Sequence, residues 1–561
     1  MSVYAFPAPD EQPLQPPTPM QAVAAALSAH IPGRKGAQFR ELDLADDSDR
    51  SPQGWNAPEA LVEIDRELGS QECGVVVGIM THWFEGHTGP TERVWLAGDP
   101  RRAMGAVSQP ECRRIIAAFD YATEHGLPVE WVAVSAGARI SMTSGTENMD
   151  WCALVVRRIL EFTQAGGEVI VITAGVNVGA QSYWNSVATM LNHCAGLLVM
   201  VQGSAMVLTG RRALHASGGV SEADDTDLGG YEPVMGPNGQ SHHVATTLDH
   251  AYRIVLSHHD LLASTSGPRY TADEWDRDVC DAVYDGRLAF TTVGEILDPA
   301  NNPARKTAFE IRPVMAAVAD LDAPRLERWR DQRGAEGAVV WDTRVGGRAT
   351  TMIGIESHHR EERHGAGPGD GQTWWAASTL YPGASKKIAR AINHASGRRP
   401  VVVLANLAGF DGSAWSLRQH QLEFGAEIAR SVVNFDGPIV VVVIGRFHGG
   451  AYVVFNKTLN DNLRMLAVAG TKVSVIGGSA AAEVVLTRQV RVRAAELAGG
   501  GEPSPAHWRQ ARAEVAQQFD EVHSVDRAFE VGSVDAVISA SEVRPAVIAE
   551  LHTAALAQLV S

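Results

Sequence analysis

The sequence predicts an α/β protein built from two copies of one α/β unit, closed by a helical tail. Three observations carry that prediction. The chain is 561 residues long, too long for one ordinary core at roughly 150 residues per domain. Short apolar runs that read as buried strands alternate with helical segments along most of its length. Strand-then-glycine landmarks also recur in the same order in both halves. In the first half, strand 129–134 leads into Ser135-Ala136-Gly137-Ala138, strand 168–173 leads into Val178-Gly179-Ala180, and a third run ends at Gly210. In the second half, strand 401–404 leads into Leu407-Ala408-Gly409-Phe410, strand 439–444 into His448-Gly449-Gly450, and strand 473–476 ends at Gly477. Gly137 to Gly179 spans 42 residues and Gly409 to Gly449 spans 40; the next steps, to Gly210 and Gly477, span 31 and 28.

The remaining elements follow in chain order. Six prolines fall between Pro7 and Pro19, which keeps that stretch out of helix and sheet. A Pro-rich leader is therefore expected over 1–54, disordered or loosely docked to about Asp49, with one short helix at 20–30. The first unit is placed at 55–300 and the second at 301–561, helical tail included. That tail follows the break Gly499-Gly500-Gly501-Glu502-Pro503, and its Trp508, Ala511, Val515, Phe519 and Val522 recur at helical spacing.

Composition narrows the function. Lys and Arg number 48 against 65 Asp and Glu, a net charge of −17, and such a field repels phosphates, so nucleic acid and membrane surfaces are poor partners. The longest apolar runs, such as 438–444, fall far short of the ~20 residues of a membrane span. Pro7, Pro9 and Asp10 stand where a signal peptide would be apolar, so a cytoplasmic location is expected. The five cysteines are scattered without C-x-x-C spacing and read as buried thiols rather than disulfides or zinc ligands. No metal site is expected. The pairs His242-His243, His258-His259 and His358-His359 are read as solvated loop histidines, Trp374-Trp375 as core, and Lys386-Lys387 as the solvated start of a helix. There is no Walker-type phosphate loop, no G-x-S-x-G elbow and no H-E-x-x-H.

The glycine turns are the chemistry that remains. A glycine between a buried strand and a helix lets a ligand approach the backbone and aims free N–H groups outward. Two such turns facing one point make an oxyanion hole, aided by the positive end of the helix dipole. Ala138 with Gly179 and Ala180 can form one, and Gly409 and Phe410 with Gly449 and Gly450 another. The same glycines also serve tight turns and close packing, and spacing alone leaves both uses open.

At these segments the sequence resembles the carboxyltransferase component of biotin-dependent acyl-CoA carboxylases. The residues carrying the resemblance are Ser135 to Ile140, Asn177-Val178-Gly179-Ala180, Ala205 to Gly210, Leu228-Gly229-Gly230 and Gly236-Pro237-Asn238-Gly239. In the second half they are Asn406 to Ser413, Arg446 to Val454 and Val475 to Gly478, followed by Phe519 to Ser524. The resemblance implies two crotonase-like β-β-α superhelical lobes related by duplication. It further implies a homodimer whose sites pair the first lobe of one subunit with the second lobe of the other. A coenzyme A thioester would sit on the first lobe, with Gly137, Ala138 and Asn177 binding it and Gly179 and Ala180 holding its enolate oxygen. Carboxybiotin would sit on the second, with Gly449 and Gly450 at the ureido oxygen and Gly409, Phe410, Arg446 and His448 around it. The implied partners are a biotin carboxylase and a biotin carboxyl carrier, since no Met-Lys-Met attachment site occurs in this chain.

Two departures from the family's pattern stand out. Ala174 and His448 occupy positions where the eukaryotic enzymes carry arginines that meet a substrate carboxylate. A histidine in that task would have to be cationic, so substrate affinity would fall between pH 6 and 8. The functions consistent with this reading are carboxyl transfer from carboxybiotin to the α-carbon of an acyl-CoA, biotin-independent decarboxylation of a malonyl-type thioester, and non-catalytic thioester binding.

Overall fold

Strands whose neighbours on both faces are helices read as continuous apolar runs, and the central strands here do so because both of their faces are buried. In the computed structural model, which describes residues 14–48, 51, 58–219, 222–262, 272–303, 305–361 and 374–560, the chain divides into two units, Met1–Ser266 and Gly267–Ser561.

The first unit holds a nine-stranded sheet: β1 (Arg34–Leu44), β2 (Leu61–Glu63), β3 (Val75–Phe84), β4 (Thr91–Gly98), β5 (Val129–Ser135), β6 (Val169–Val178), β7 (Leu197–Val201), β8 (Ala205–Val207) and β9 (His243–Ala245). Their order is β2-β1-β3-β4-β5-β6-β7-β9, with β8 also pairing β6. Pairing is antiparallel from β2 to β4 and parallel from β4 onward. Alternation along each strand sorts side chains to two cores. Val169 and Val171 pack with α2 (Gln109–His125), α3 (Thr146–Gln164) and α4 (Ala180–Thr189). Ile170 and Ile172 pack with α1 (Pro19–Ser28) and α5 (Leu248–Leu262).

Residues 14–48 of the leader are part of this fold, contrary to the loose docking expected from its prolines; Pro7, Pro9 and Pro13 lie outside the described residues. Pro19 opens α1 behind a Thr18–Gln21 capping box, and Ala22, Val23 and Ala26 are buried. β1 pairs antiparallel with β3, and Phe39 stands edge-on to Trp95 with ring centroids 5.2 Å apart. His82 Nε2 donates to the Ala26 carbonyl at 3.1 Å, while its Nδ1 accepts from Arg93 at 2.7 Å.

The second unit repeats the pattern of pairing with different side chains. Its sheet runs β10 (Leu326–Glu327), β11 (Ala338–Val345), β12 (Arg348–Ile355), β13 (Val401–Leu407), β14 (Ile439–His448), β15 (Leu463–Val468) and β17 (Ala536–Ile538), with β16 (Lys472–Ser474) beside β14. Antiparallel pairing again gives way to parallel after the β11–β12 hairpin. One face packs α7 (Pro382–Ala395) and α8 (Gln421–Val433); the other packs α6 (Ile311–Val318) and α13 (Val543–Val560). α9 (Gly449–Val454) follows β14, and α10 (Gly478–Val484) follows β16. In the tail, α12 (Pro505–Val522) packs Ala511 and Val515 on Val490 and Ala494 of α11 (Thr487–Leu497).

The boundary falls at Ser266, not at 300, because Val279, Tyr284, Phe290 and Val293 belong to the same core as Met315 and the second sheet. Lys387 is not solvated either. It is 1% exposed, its Nζ donates to the Trp329 carbonyl at 3.0 Å, and burial pushes its pKa down to about 8. His258 and His259 lie buried on α5, with His258 Nε2 3.0 Å from Glu168, and His242 and His243 are buried too. Such pairings join residues far apart in sequence, which local patterning does not reveal. Trp375 is buried against Tyr381 and Trp415, whereas Trp374 remains half exposed.

Candidate active site

Each unit presents one glycine turn where a long parallel strand hands over to a helix. In the first unit β6 ends at Val178, Gly179 takes φ 54° and ψ −108°, and α4 starts at Ala180. An L side chain rarely adopts that conformation, so the turn needs glycine. The Gly179 N–H donates to the Val207 carbonyl at 2.9 Å. That bond closes the turn and corrects the role expected for Gly179, whose amide is committed to the protein. Ala180, the first helical residue, has no intrahelical acceptor for its N–H, and none of the described residues supplies one.

Gly137 brings the second segment against this turn. It has φ 86°, and a Cβ there would lie 2.8 Å from the Val178 carbonyl and 3.9 Å from the Ala180 nitrogen. The next residue, Ala138, bridges Val107 in parallel fashion through the Gly137 carbonyl and the Arg139 N–H. That pattern turns the Ala138 N–H to the opposite edge, toward the Gly179 turn. At this turn, Ala138 and Ala180 are the open donors among the described residues.

Asn177 does different work from the substrate binding expected of it. It is fully buried, and its Nδ2 donates to the carbonyls of Ala133 and Gly175, both at 3.1 Å. It ties the ends of β5 and β6 together and so fixes where the two turns sit. Ser182 has a similar role that the sequence did not announce: its Oγ lies 2.8 Å from the Asn177 carbonyl and 3.0 Å from that of Val207.

In the second unit His448 ends β14 in extended conformation, Gly449 takes φ 61°, and α9 begins. Gly450 lies in the first turn of α9, where backbone N–H groups have no partner in the helix. A Cβ on Gly450 would sit 3.2 Å from the Phe410 ring, while one on Gly409 would meet nothing within 4 Å. Phe410 thus forms a wall over Gly450, and Gly409 leaves the space beside it open. A cavity of about 480 Å³ adjoins the turn, lined by Gly449, Gly450, Tyr452, Val453, Val473, Val475 and Arg527 among others. Its walls are mainly apolar, as small-molecule sites generally are.

His448 and Arg446 point from the same face of β14, two residues apart. His448 is 4% exposed, its Nδ1 lies 3.0 Å from Ser474 Oγ, and burial with the nearby Arg446 guanidinium pushes its pKa down to about 4. The ring is neutral at neutral pH, which speaks against the cationic histidine that the sequence left open. Burial also holds Arg446 below its usual value, with Asp520 opposing the shift. Its Nε is buried without a hydrogen-bond partner.

The structure thus gathers Gly137, Ala138, Gly179 and Ala180 in one unit, and Gly409, Phe410, Gly449, Gly450, Arg446 and His448 in the other. Ser182 and Ser474 complete these surroundings from positions whose spacing in sequence carries no motif, and Asp520 does so from within the Phe519 to Ser524 stretch.

The chain is similar to known carboxylases over most of its length. The acetyl-CoA carboxylase of Saccharomyces cerevisiae is 23% identical over 503 residues, a match covering 74% of this chain and 21% of the yeast protein. That of Schizosaccharomyces pombe is 22% identical over 509 residues, again 74% of this chain and 21% of the relative. The chain therefore spans about a fifth of those relatives' length. Among solved structures, transcarboxylase 12S, a hexamer seen with methylmalonyl-coenzyme A and methylmalonic acid bound, superposes with a TM-score of 0.65 at 19% identity, covering 86% of this chain and 82% of its own. The carboxyl transferase domain pattern matches residues 77–559, and this chain belongs to the carboxyl transferase domain family.

Proposed function

We propose that this chain is a biotin-dependent carboxyltransferase that moves a carboxyl group between carboxybiotin on a partner protein and the α-carbon of an acyl-coenzyme A. The observation that carries the reading is the pair of glycine turns, each opening N–H groups at the start of a helix. The Ala138 and Ala180 amides would hold the thioester oxygen as it becomes an enolate, a preorganised contact worth on the order of 10²–10³ in rate per donor. The Gly450 amide would meet the ureido oxygen, with Phe410 covering the ring and Gly409 leaving it room. These residues fit the group: the cradle at Gly450 is one that a Cβ would fill, and an apolar cavity adjoins it. When bound, carboxybiotin supplies the carboxyl group itself.

The shared strand order of the two sheets supports duplication of one crotonase-like unit. A homo-oligomer, with a biotin carboxylase and a carrier as further partners in the cytoplasm, completes the reading. Support comes from the exposed apolar side chains Val453, Val475 and Val531, which line one cavity beside the second turn, since contiguous exposed apolar surface marks a contact site. Among the described residues no helix is long and apolar enough to cross a membrane.

The reading is tested in reverse, by mixing the protein with a carboxylated acyl-coenzyme A and free biotin. Loss of the thioester's carboxyl group that depends on biotin supports transfer. Loss without biotin makes the chain a decarboxylase, and no loss at all makes it a thioester-binding protein.

A further inference from the structure

Ser474 decides the tautomer of His448. Its Oγ lies 3.0 Å from His448 Nδ1 and 2.6 Å from the Ile476 carbonyl oxygen. A carbonyl only accepts and a serine hydroxyl has a single proton, so that proton goes to Ile476. His448 Nδ1 must then carry hydrogen and donate to Ser474. Three charged groups act on this ring: Arg446, Asp520 and Lys306. Asp520 accepts the Gly478 N–H at 2.7 Å and Lys306 donates to Ser479 Oγ at 3.3 Å, so both are engaged beside the ring. With burial, their sum keeps the imidazole neutral, its pKa at about 4.

A neutral ring protonated at Nδ1 presents Nε2 as a bare lone pair. No amide or side chain of the described residues donates to it. Gly477 leaves it uncovered, for a Cβ at that position would come within 3.6 Å of Nε2. The neighbouring Arg446 Nε is a buried donor without a partner. An open acceptor at the edge of a turn with open amides complements a ring that carries both N–H and C=O.

We propose that His448 Nε2 accepts an N–H from a cyclic urea seated at the second glycine turn, whose carbonyl meets the Gly450 amide. This rests on the carboxyltransferase reading and adds a residue to it. Position 448 is then an acceptor that orients the ring, not a cation that meets a carboxylate.

Two measurements test it, with free biotin as the cyclic urea. Nitrogen-15 NMR of histidine-labelled protein should show His448 neutral and protonated at Nδ1 from about pH 5.5 to 8, with the Nε2 resonance moving on saturation with biotin. By calorimetry, His448→Gln, which keeps an acceptor, should bind biotin within about threefold of the wild type, whereas His448→Arg, which only donates, should bind about tenfold more weakly. A ring protonated at Nε2 in that range overturns the proposal. So does biotin binding that leaves Nε2 unmoved, or that His448→Arg matches, and in those cases the carboxyltransferase reading stands. Wild-type protein that binds no biotin at all defeats both.

Discussion

Gly137 cannot accept a methyl group where it stands. At φ 86° and with the Val178 carbonyl 2.8 Å from the would-be Cβ, Gly137→Ala combines backbone strain with a clash against the strand that carries the neighbouring turn. We expect a loss of about 1–3 kcal/mol, measured by chemical denaturation. Because the clash is at Val178, catalysis should suffer more than stability. At the other turn, His448 is already neutral above its folded pKa of about 4, so affinity for a carboxylated thioester should stay level between about pH 6 and 8. A falling curve, measured calorimetrically, would restore the cationic histidine. The same depressed value has a consequence for stability. The unfolded ring titrates near ~6.5, so between about 4 and 6.5 the unfolded chain binds the extra proton. Stability is then complete above that window and is lost as pH falls through it. His82, pushed down to about 3 by burial and Arg93, adds a second contribution of the same sign. Thermal melts at pH 5 and 7 should differ accordingly, and His448→Gln should narrow the difference.

Among the elements, β1 is the one with most to lose. It covers the edge of β3 through a ladder from Leu42–Val77 to Arg34–Phe84, and α1 beside it buries Ala22, Val23 and Ala26 in the core behind β4. Removing residues 1–48 would expose that edge and a row of unpaired backbone groups. Light scattering and thermal melts of the truncated chain should show aggregation and a lower midpoint; an unchanged melt would mean the leader is dispensable. This element also marks the limit of what the sequence made legible. β5, β6, β13 and β14 declare themselves as apolar runs because both of their faces are buried. β1, with Lys35, Arg40 and Glu41 in its length, lies near the sheet edge and keeps polar residues, so its pairing rests on partners some forty residues away. The glycine turns were legible because φ above zero selects glycine. Which amide each turn leaves open was not: the bond from Gly179 to Val207 is a backbone contact that no side chain records. The buried polar groups of Lys387 and His258 were hidden for a related reason, since their partners lie on other elements.

At the scale of the whole molecule, one lesion in each unit can be used to interrogate the assembly. Ala180→Pro deletes the open N–H at a helix position that tolerates proline, and Gly450→Val fills the cradle against Phe410. In the homodimer that the resemblance implies, each mixed dimer of these two variants keeps one site that is wild type on both sides. Activity should therefore return after subunit exchange, and sites built within single chains would give none. The two-turn arrangement is proposed to hold the two reacting oxygens. Its most direct test is the transfer of labelled carboxyl from a carboxylated acyl-coenzyme A to free biotin, measured for the wild type, Ala180→Pro and Gly450→Val with their melting temperatures. Each variant should melt close to the wild type and transfer on the order of 10²–10³ more slowly; wild-type transfer by either folded variant would contradict the proposed role of the turns.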